Sequence, residues 1–182
     1  GRTHAPMRLT SDRAADYRGL QRVIALGDVT VWPATFDHLV FRRTPKLVRA
    51  SDPEVYHLSL LLKGEAAADW GRQQAAYRVN DFHTNSSSCS YDIHTGSEPV
   101  TMVGVEIPRS LVALPGHRVD QVIGRHISGR EGIGALLAQF LQHLVSDTAV
   151  YQPSDAPRLG AVAADLVTAV FAHAADADLR LP

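Results

Sequence analysis

The spacing of apolar residues changes near Pro108, and this change restricts the chain to a strand-rich unit followed by a helical one. Before Pro108 short apolar stretches alternate with turn residues. The clearest strand is at residues 56–63, where Tyr56, Leu58, Leu60 and Leu62 share one face and His57, Ser59 and Leu61 the other. Gly64 closes it, and residues 66–70 and 73–79 predict a hairpin turning at Gly71-Arg72. Further strands are expected at residues 29–32, 38–43, 91–94 and 100–107, with Pro33 marking an edge or bend. Asn80-Asp81 reads as a turn, Asn being the non-glycine residue that best tolerates left-handed backbone. Ser86-Ser87-Ser88 reads as a solvated loop, and an opening helix is expected from Ser11 or Asp12, carrying Ala15, Tyr17, Leu20, Val23 and Ile24. Seven or eight short strands within about 80 residues point to an antiparallel sandwich or barrel.

Beyond Pro108 the period is helical. Ile133, Leu136, Leu137, Phe140, Leu141, Leu144 and Val145 form one helical face. Ser154-Asp155 predicts the cap of a second helix, with Pro157 tolerated in its first turn. Its stripe of Leu159, Val162, Leu166 and Val170 is narrow, with Ala163, Ala169 and Ala174 permitting close approach. Such a stripe suits a helix–helix seam within the chain or between two chains.

Composition narrows the function. Eighteen Lys and Arg against nineteen Asp and Glu leave a net charge of −1, a poor basis for holding DNA through its phosphates. The single cysteine, Cys89, excludes an internal disulfide and a multi-cysteine zinc site, and fits a reducing cytoplasm. No apolar run of about 18–20 residues that would span a bilayer is apparent, and the first ten residues contain no signal-type apolar stretch.

Few groups suggest bond-making chemistry. Cys89 lies between two serines, without a glycine elbow or helix start to activate it. The run from Gly129 to Gly134 leads into a helix, but no strand precedes it and no Gly-Lys-Ser/Thr follows, so phosphate binding is weakly supported. Arg42, Arg43, Lys46 and Arg49 form a basic cluster followed at once by Asp52 and Glu54; it reads as a salt-bridged surface. Aromatic residues are mostly core, yet some must face a barrel interior. The candidate pocket residues are Trp32, Phe41, Tyr56, His57, Trp70, His83 and Tyr91. Alternation leaves open which face of residues 56–63 is inside.

Several stretches resemble a known family. They are Phe41-Arg42-Arg43-Thr44-Pro45-Lys46-Leu47-Val48-Arg49, Ser51-Asp52-Pro53-Glu54-Val55-Tyr56-His57-Leu58, Leu62-Lys63-Gly64, Val105-Glu106-Ile107-Pro108-Arg109, Gly129-Arg130-Glu131-Gly132 and Pro157-Arg158-Leu159-Gly160. Together they resemble the N-terminal effector-binding domain of AraC-type transcriptional regulators, especially actinobacterial ones, from about Asp12 to about Ala175. The resemblance implies an α+β chain: a cupin-like antiparallel β-barrel of jelly-roll type at residues 11–108, then a C-terminal pair of α-helices in a dimerisation segment at residues 109–176. It implies a homodimer through the late helices, for which the stripe of Leu159, Val162, Leu166 and Val170 is the expected contact, and a possible small-molecule effector; no cofactor or metal is expected. DNA would be contacted only through a helix-turn-helix domain following Pro182. Two departures from the family pattern are Asn80 in place of Gly and Ser90 where proline is common.

Two other readings compete with an effector-sensing regulatory domain. One is a metal-dependent cupin enzyme, a dioxygenase or isomerase, holding iron, manganese or zinc near His57, His83 and His94. No two histidines are separated by a single residue, so the usual paired-ligand spacing is missing. The other is a structural dimerisation module whose barrel is filled by its own side chains.

Overall fold

The computed structural model describes residues 4–71 and 73–178. Eight strands lie between Val29 and Pro108: β4 (Val29–Phe36), β5 (Val40–Arg43), β6 (Val55–Lys63), β7 (Ala66–Asp69), β8 (Gln74–Tyr77), β9 (Asp81–Ser86), β10 (Tyr91–Thr95) and β11 (Val100–Pro108). Before them come β1 (Arg8–Thr10), β2 (Gly19–Gln21) and β3 (Ile24–Leu26). After Pro108, β12 (Ile127–Ser128) rejoins the sheet through β9. All pairings among the described residues are antiparallel, in a sheet of order β1-β5-β10-β7-β8 and another of order β12-β9-β6-β11-β4-β2, with β3 also on β4. The sheets pack face to face: Trp32, Phe36, Leu61 and Val100 from one meet Ala68 and Tyr77 from the other, with Leu39 just before β5. This is the antiparallel two-sheet sandwich with C-terminal helices that the sequence predicts.

The opening helix expected from Ser11 does not form. Residues 12–16 are turns, and Leu20 and Val23 are exposed around the short strands β2 and β3. Gly19 weakens the helical option, and pairing with the edge of β4 satisfies this backbone instead. Pro33 lies inside β4, opposite Val103, where the β2 pairing gives way to β3. Its carbonyl accepts from the Arg22 N–H at 3.1 Å, so its missing donor falls at the break between two short edge strands. Asn80 has φ 66°, the left-handed turn expected of it.

Among the described residues there are four α-helices: α1 (Pro45–Ala50), α2 (Gly116–Asp120), α3 (Gly132–Ser146) and α4 (Ala156–Asp178). The α1 helix starts at Thr44, whose hydroxyl accepts from the Leu47 N–H at 3.3 Å. Before α4, a single 3-10 turn at Pro153–Asp155 is closed by a capping box between Gln152 and Asp155. Leu137, Leu141, Val167 and Phe171 from α3 and α4 are buried against Leu58, Leu60, Val105 and Ile107 of the sheet. Eight such side chains, at about 1.5–3 kcal/mol each, contribute roughly 12–24 kcal/mol of gross burial before chain entropy is subtracted. One core cluster thus spans barrel and helices. At Gly160 a Cβ would sit 2.0 Å from the Leu26 carbonyl oxygen, so glycine alone lets α4 approach β3 this closely.

The α4 stripe is used mainly within the chain. Val170 is buried and Leu159 and Leu166 pack on the same core, while Val162 remains exposed. A 25-residue stretch, Pro153–Ala177, is long and apolar enough by length and composition to cross a membrane, which residue-by-residue reading of apolar runs does not reveal. Its Ala163, Val167 and Phe171 face is the core face of this domain.

Candidate ligand-binding cavity

The strand β6 has both faces buried, which is why its alternation alone could not orient it. Tyr56, Leu58 and Leu60 turn outward, beneath α3 and α4. His57, Ser59 and Leu61 turn inward and line a cavity of about 370 Å³ between the sheets, a volume suited to a small molecule. The register extends the inner face across four strands. His83, Ser59, Gly104 and Trp32 form one cross-strand row, and Asn85, His57 and Glu106 form the next. Gly104 is the gap in the first row: a Cβ there would lie 2.2 Å from the Trp32 ring. With that space open, Trp32 lies across the sheet and stacks on His57 at 4.9 Å.

Of the sequence candidates, Trp32, Phe41, His57, His83 and Tyr91 all line the cavity. Tyr56 does not: it projects to the opposite face, edge-on to Phe171 and beneath the Arg109 guanidinium. Trp70 packs behind the wall, stacked on His83 at 5.9 Å and against Gly124. The histidines His57, His83 and His94 do not converge, because His94 is exposed on β10 and absent from the lining. Among the described residues no group of three or more His, Cys, Asp or Glu is arranged to hold a metal ion.

The N-terminal part supplies lining residues that sequence reading missed. His4, Met7 and Leu9 contribute from β1 and the residues before it, and Tyr17, Leu20 and Gln21 from around β2. Edge-strand propensity is weak in such short segments, and little in their sequence marks them. Gly104, by contrast, carried a signal: a lone glycine inside a strand often marks close approach. The basic cluster also reads differently in three dimensions. Arg43 is buried, and its guanidinium donates to the carbonyls of Ser87 at 2.8 Å, Pro6 at 2.6 Å and Ser51 at 2.6 Å. It ties the segment before β1 to the barrel. Ser86 and Ser87 are likewise buried; the Ser87 hydroxyl accepts from the Val55 N–H at 2.9 Å and donates to Asp52. These serines lie within the frame that Arg43 requires, and are not solvated.

Burial governs the protonation of the inner wall. Desolvation, followed by the nearby His83 and His4, holds His57 well below the usual histidine range, and its Nε2 shares a 2.7 Å hydrogen bond with the Ser59 hydroxyl. Burial pushes His83 down to about 4. Burial pushes the Tyr91 hydroxyl up to about 12, so it stays protonated. Glu106 pairs with His4 Nδ1 at 3.3 Å, and His4 Nε2 lies 2.7 Å from Gln21 Nε2. Trp32 Nε1, Trp70 Nε1 and His83 Nε2 are buried with no hydrogen-bond partner among the described residues. Apart from the Glu106–His4 pair, the described wall offers neutral donors and acceptors beside aromatic surface. Such a wall can recognise a ligand by shape and hydrogen bonding.

A family model described as an AraC-binding-like domain matches residues 1–172. The chain belongs to this family. The AraC-binding-like domain is a regulatory, ligand-binding domain of AraC-family regulators. Among solved structures, the AraC-like transcriptional activator CuxR superposes with a TM-score of 0.82 at 16% identity. That match covers 91% of this chain and 61% of the activator, so the chain spans about three-fifths of that protein's length. A cupin domain of an XRE-family transcriptional regulator from Enterobacter cloacae matches at TM-score 0.40 and 10% identity, over 50% of this chain and 98% of that one. A cupin superfamily protein from Desulfitobacterium hafniense matches at 0.39 and 17%, over 50% of this chain and 78% of that one. Comparison with the curated proteins gave no match.

Proposed function

We propose that this AraC-binding-like domain senses a small-molecule effector in the cavity and, as a cytoplasmic homodimer, controls DNA binding by a helix-turn-helix part of the same regulator, without catalysing a reaction. The observation that carries this reading is the cavity itself, lined by aromatic rings and neutral histidines. The pocket residues proposed are Trp32, Phe41, His57, His83 and Tyr91, joined by Ser59 and Asn85. Coupling follows from the sheet: the strand that presents His57 and Ser59 to the cavity presents Leu58 and Leu60 to α3 and α4. An effector shifts the helical layer only as far as it binds two arrangements of that layer unequally, typically a difference of about 1–3 kcal/mol.

The dimer contact is proposed on the outer side of α3 and α4, where Leu136 and Val162 are exposed. Leu159 and Leu166 would support it from beneath, since they are half-buried on the core. Sedimentation equilibrium tests it. The chain should sediment as a dimer and Val162→Asp as a folded monomer; a Val162→Asp protein that stays dimeric would contradict this placement. Elemental analysis separates sensing from metal-dependent catalysis, because stoichiometric metal in the purified protein would favour the enzyme.

A further inference from the structure

We infer that the cavity is shaped for an uncharged amphiphile, with a hydrogen-bonding head held deep and an apolar tail leaving through the mouth; this rests on the reading that the cavity binds an effector. Pockets usually place polar groups where water is near. Here polar groups lie deep among buried aromatic rings, while the exposed rim, Gln21 apart, is apolar. The deep wall carries Ser59, His83 and Asn85, all buried. At the mouth, Leu9 is 56% exposed, Tyr17 37% and Leu20 72%, and all three also line the cavity. Apolar side chains this exposed and continuous with a cavity wall gain most when a ligand's apolar part covers them.

Charge decides the head group. Among the described residues no lysine or arginine lines the cavity, so a carboxylate or phosphate would be buried there without a counter-charge from them. The one lining carboxylate among the described residues, Glu106, already faces His4 at 3.3 Å, and in its own row His57 stands between it and Asn85, so it does not serve a cation placed against His83 and Asn85. A neutral amide, alcohol or ketone suits the wall better. It can occupy His83 Nε2, which has no partner among the described residues, and the Asn85 amide, which both donates and accepts.

The test is calorimetric titration of the chain at pH 7 with octanamide, octanoate, octylammonium and butanamide. Octanamide should bind at least tenfold more tightly than each of the other three. The Leu9→Ser/Leu20→Ser protein, altered only at exposed positions, should bind octanamide at least threefold more weakly and butanamide unchanged. Octanoate or octylammonium binding as tightly as octanamide would overturn the uncharged head while leaving a cavity effector intact. Equal affinity for octanamide and butanamide, or no effect of the double substitution, would overturn the tail. Failure of all four to bind would overturn the inference together with the reading beneath it.

Discussion

The two faces of β6 differ by one residue along the chain and by almost everything in their surroundings. Tyr56, Leu58 and Leu60 are sealed beneath α3 and α4 by mostly apolar side chains, with the Arg109 guanidinium over the Tyr56 ring. Their immediate neighbours, the buried Ser59 and half-buried His57, carry polar atoms into a cavity that the protein does not fill. Polar groups buried this way weaken a fold unless something satisfies them. The contrast therefore separates a face that holds the domain together from a face that gives up stability for recognition.

The largest effect is expected on the outer face. Leu58→Ala and Leu141→Ala should each cost about 2–5 kcal/mol in urea unfolding, because each leaves a hole in close-packed core. Ser59→Ala, one position away, should cost about 1 kcal/mol or less. Equal losses on the two faces would erase the distinction.

Acid should act on the inner face. The folded-state pKa of His83, about 4, lies below the ordinary unfolded value of 6.5, so the unfolded chain takes up the proton first. The contribution of neutral His83 is thus complete above about pH 6.5 and declines as pH falls to about 4, by up to about 3 kcal/mol. His57 is shifted in the same direction. Unfolding midpoints measured between those pH values should fall steeply in the parent and less in His83→Phe. Parallel curves would show that His83 is not buried neutral.

A smaller effect tests how the inner wall is built. Gly104→Ala should destabilise by about 1–3 kcal/mol and blue- or red-shift Trp32 emission in a Trp70→Phe background, since the new methyl occupies the place of the indole ring. Unchanged emission would mean that Trp32 does not lie over Gly104. Smallest of all, Leu20→Ser at the mouth should change stability by no more than about 0.5 kcal/mol, in keeping with its exposure.

Much of the frame was readable from residue spacing. The period-2 run at residues 56–63, the left-handed Asn80 and the helical face from Ile133 to Val145 each reflect a local rule that tertiary packing did not override. The orientation of β6 was not readable, because a strand buried on both sides looks apolar on both, and only the helices docked later distinguish them. Tyr56 was misplaced for that reason. The spurious opening helix arose from a chance helical spacing of Leu20, Val23 and Ile24, which edge pairing with β4 outweighed. Arg43 resembled its exposed neighbours in sequence; only the three carbonyls brought around it from distant segments make its burial possible. The narrow α4 stripe was legible as a seam, but sequence left open whether the seam was internal, and Val170 shows that part of it is.

The most direct test of a recognising inner face is binding of the uncharged solvatochromic dye prodan, followed by its emission, to Leu58→Ala and Ser59→Phe. Both proteins are first shown to unfold cooperatively. The Leu58→Ala protein should bind the dye as the parent does, despite its lower stability, while Ser59→Phe, which fills the cavity, should lose the blue-shifted emission. Undiminished binding to Ser59→Phe, or its loss in folded Leu58→Ala, would contradict the division of labour between the two faces.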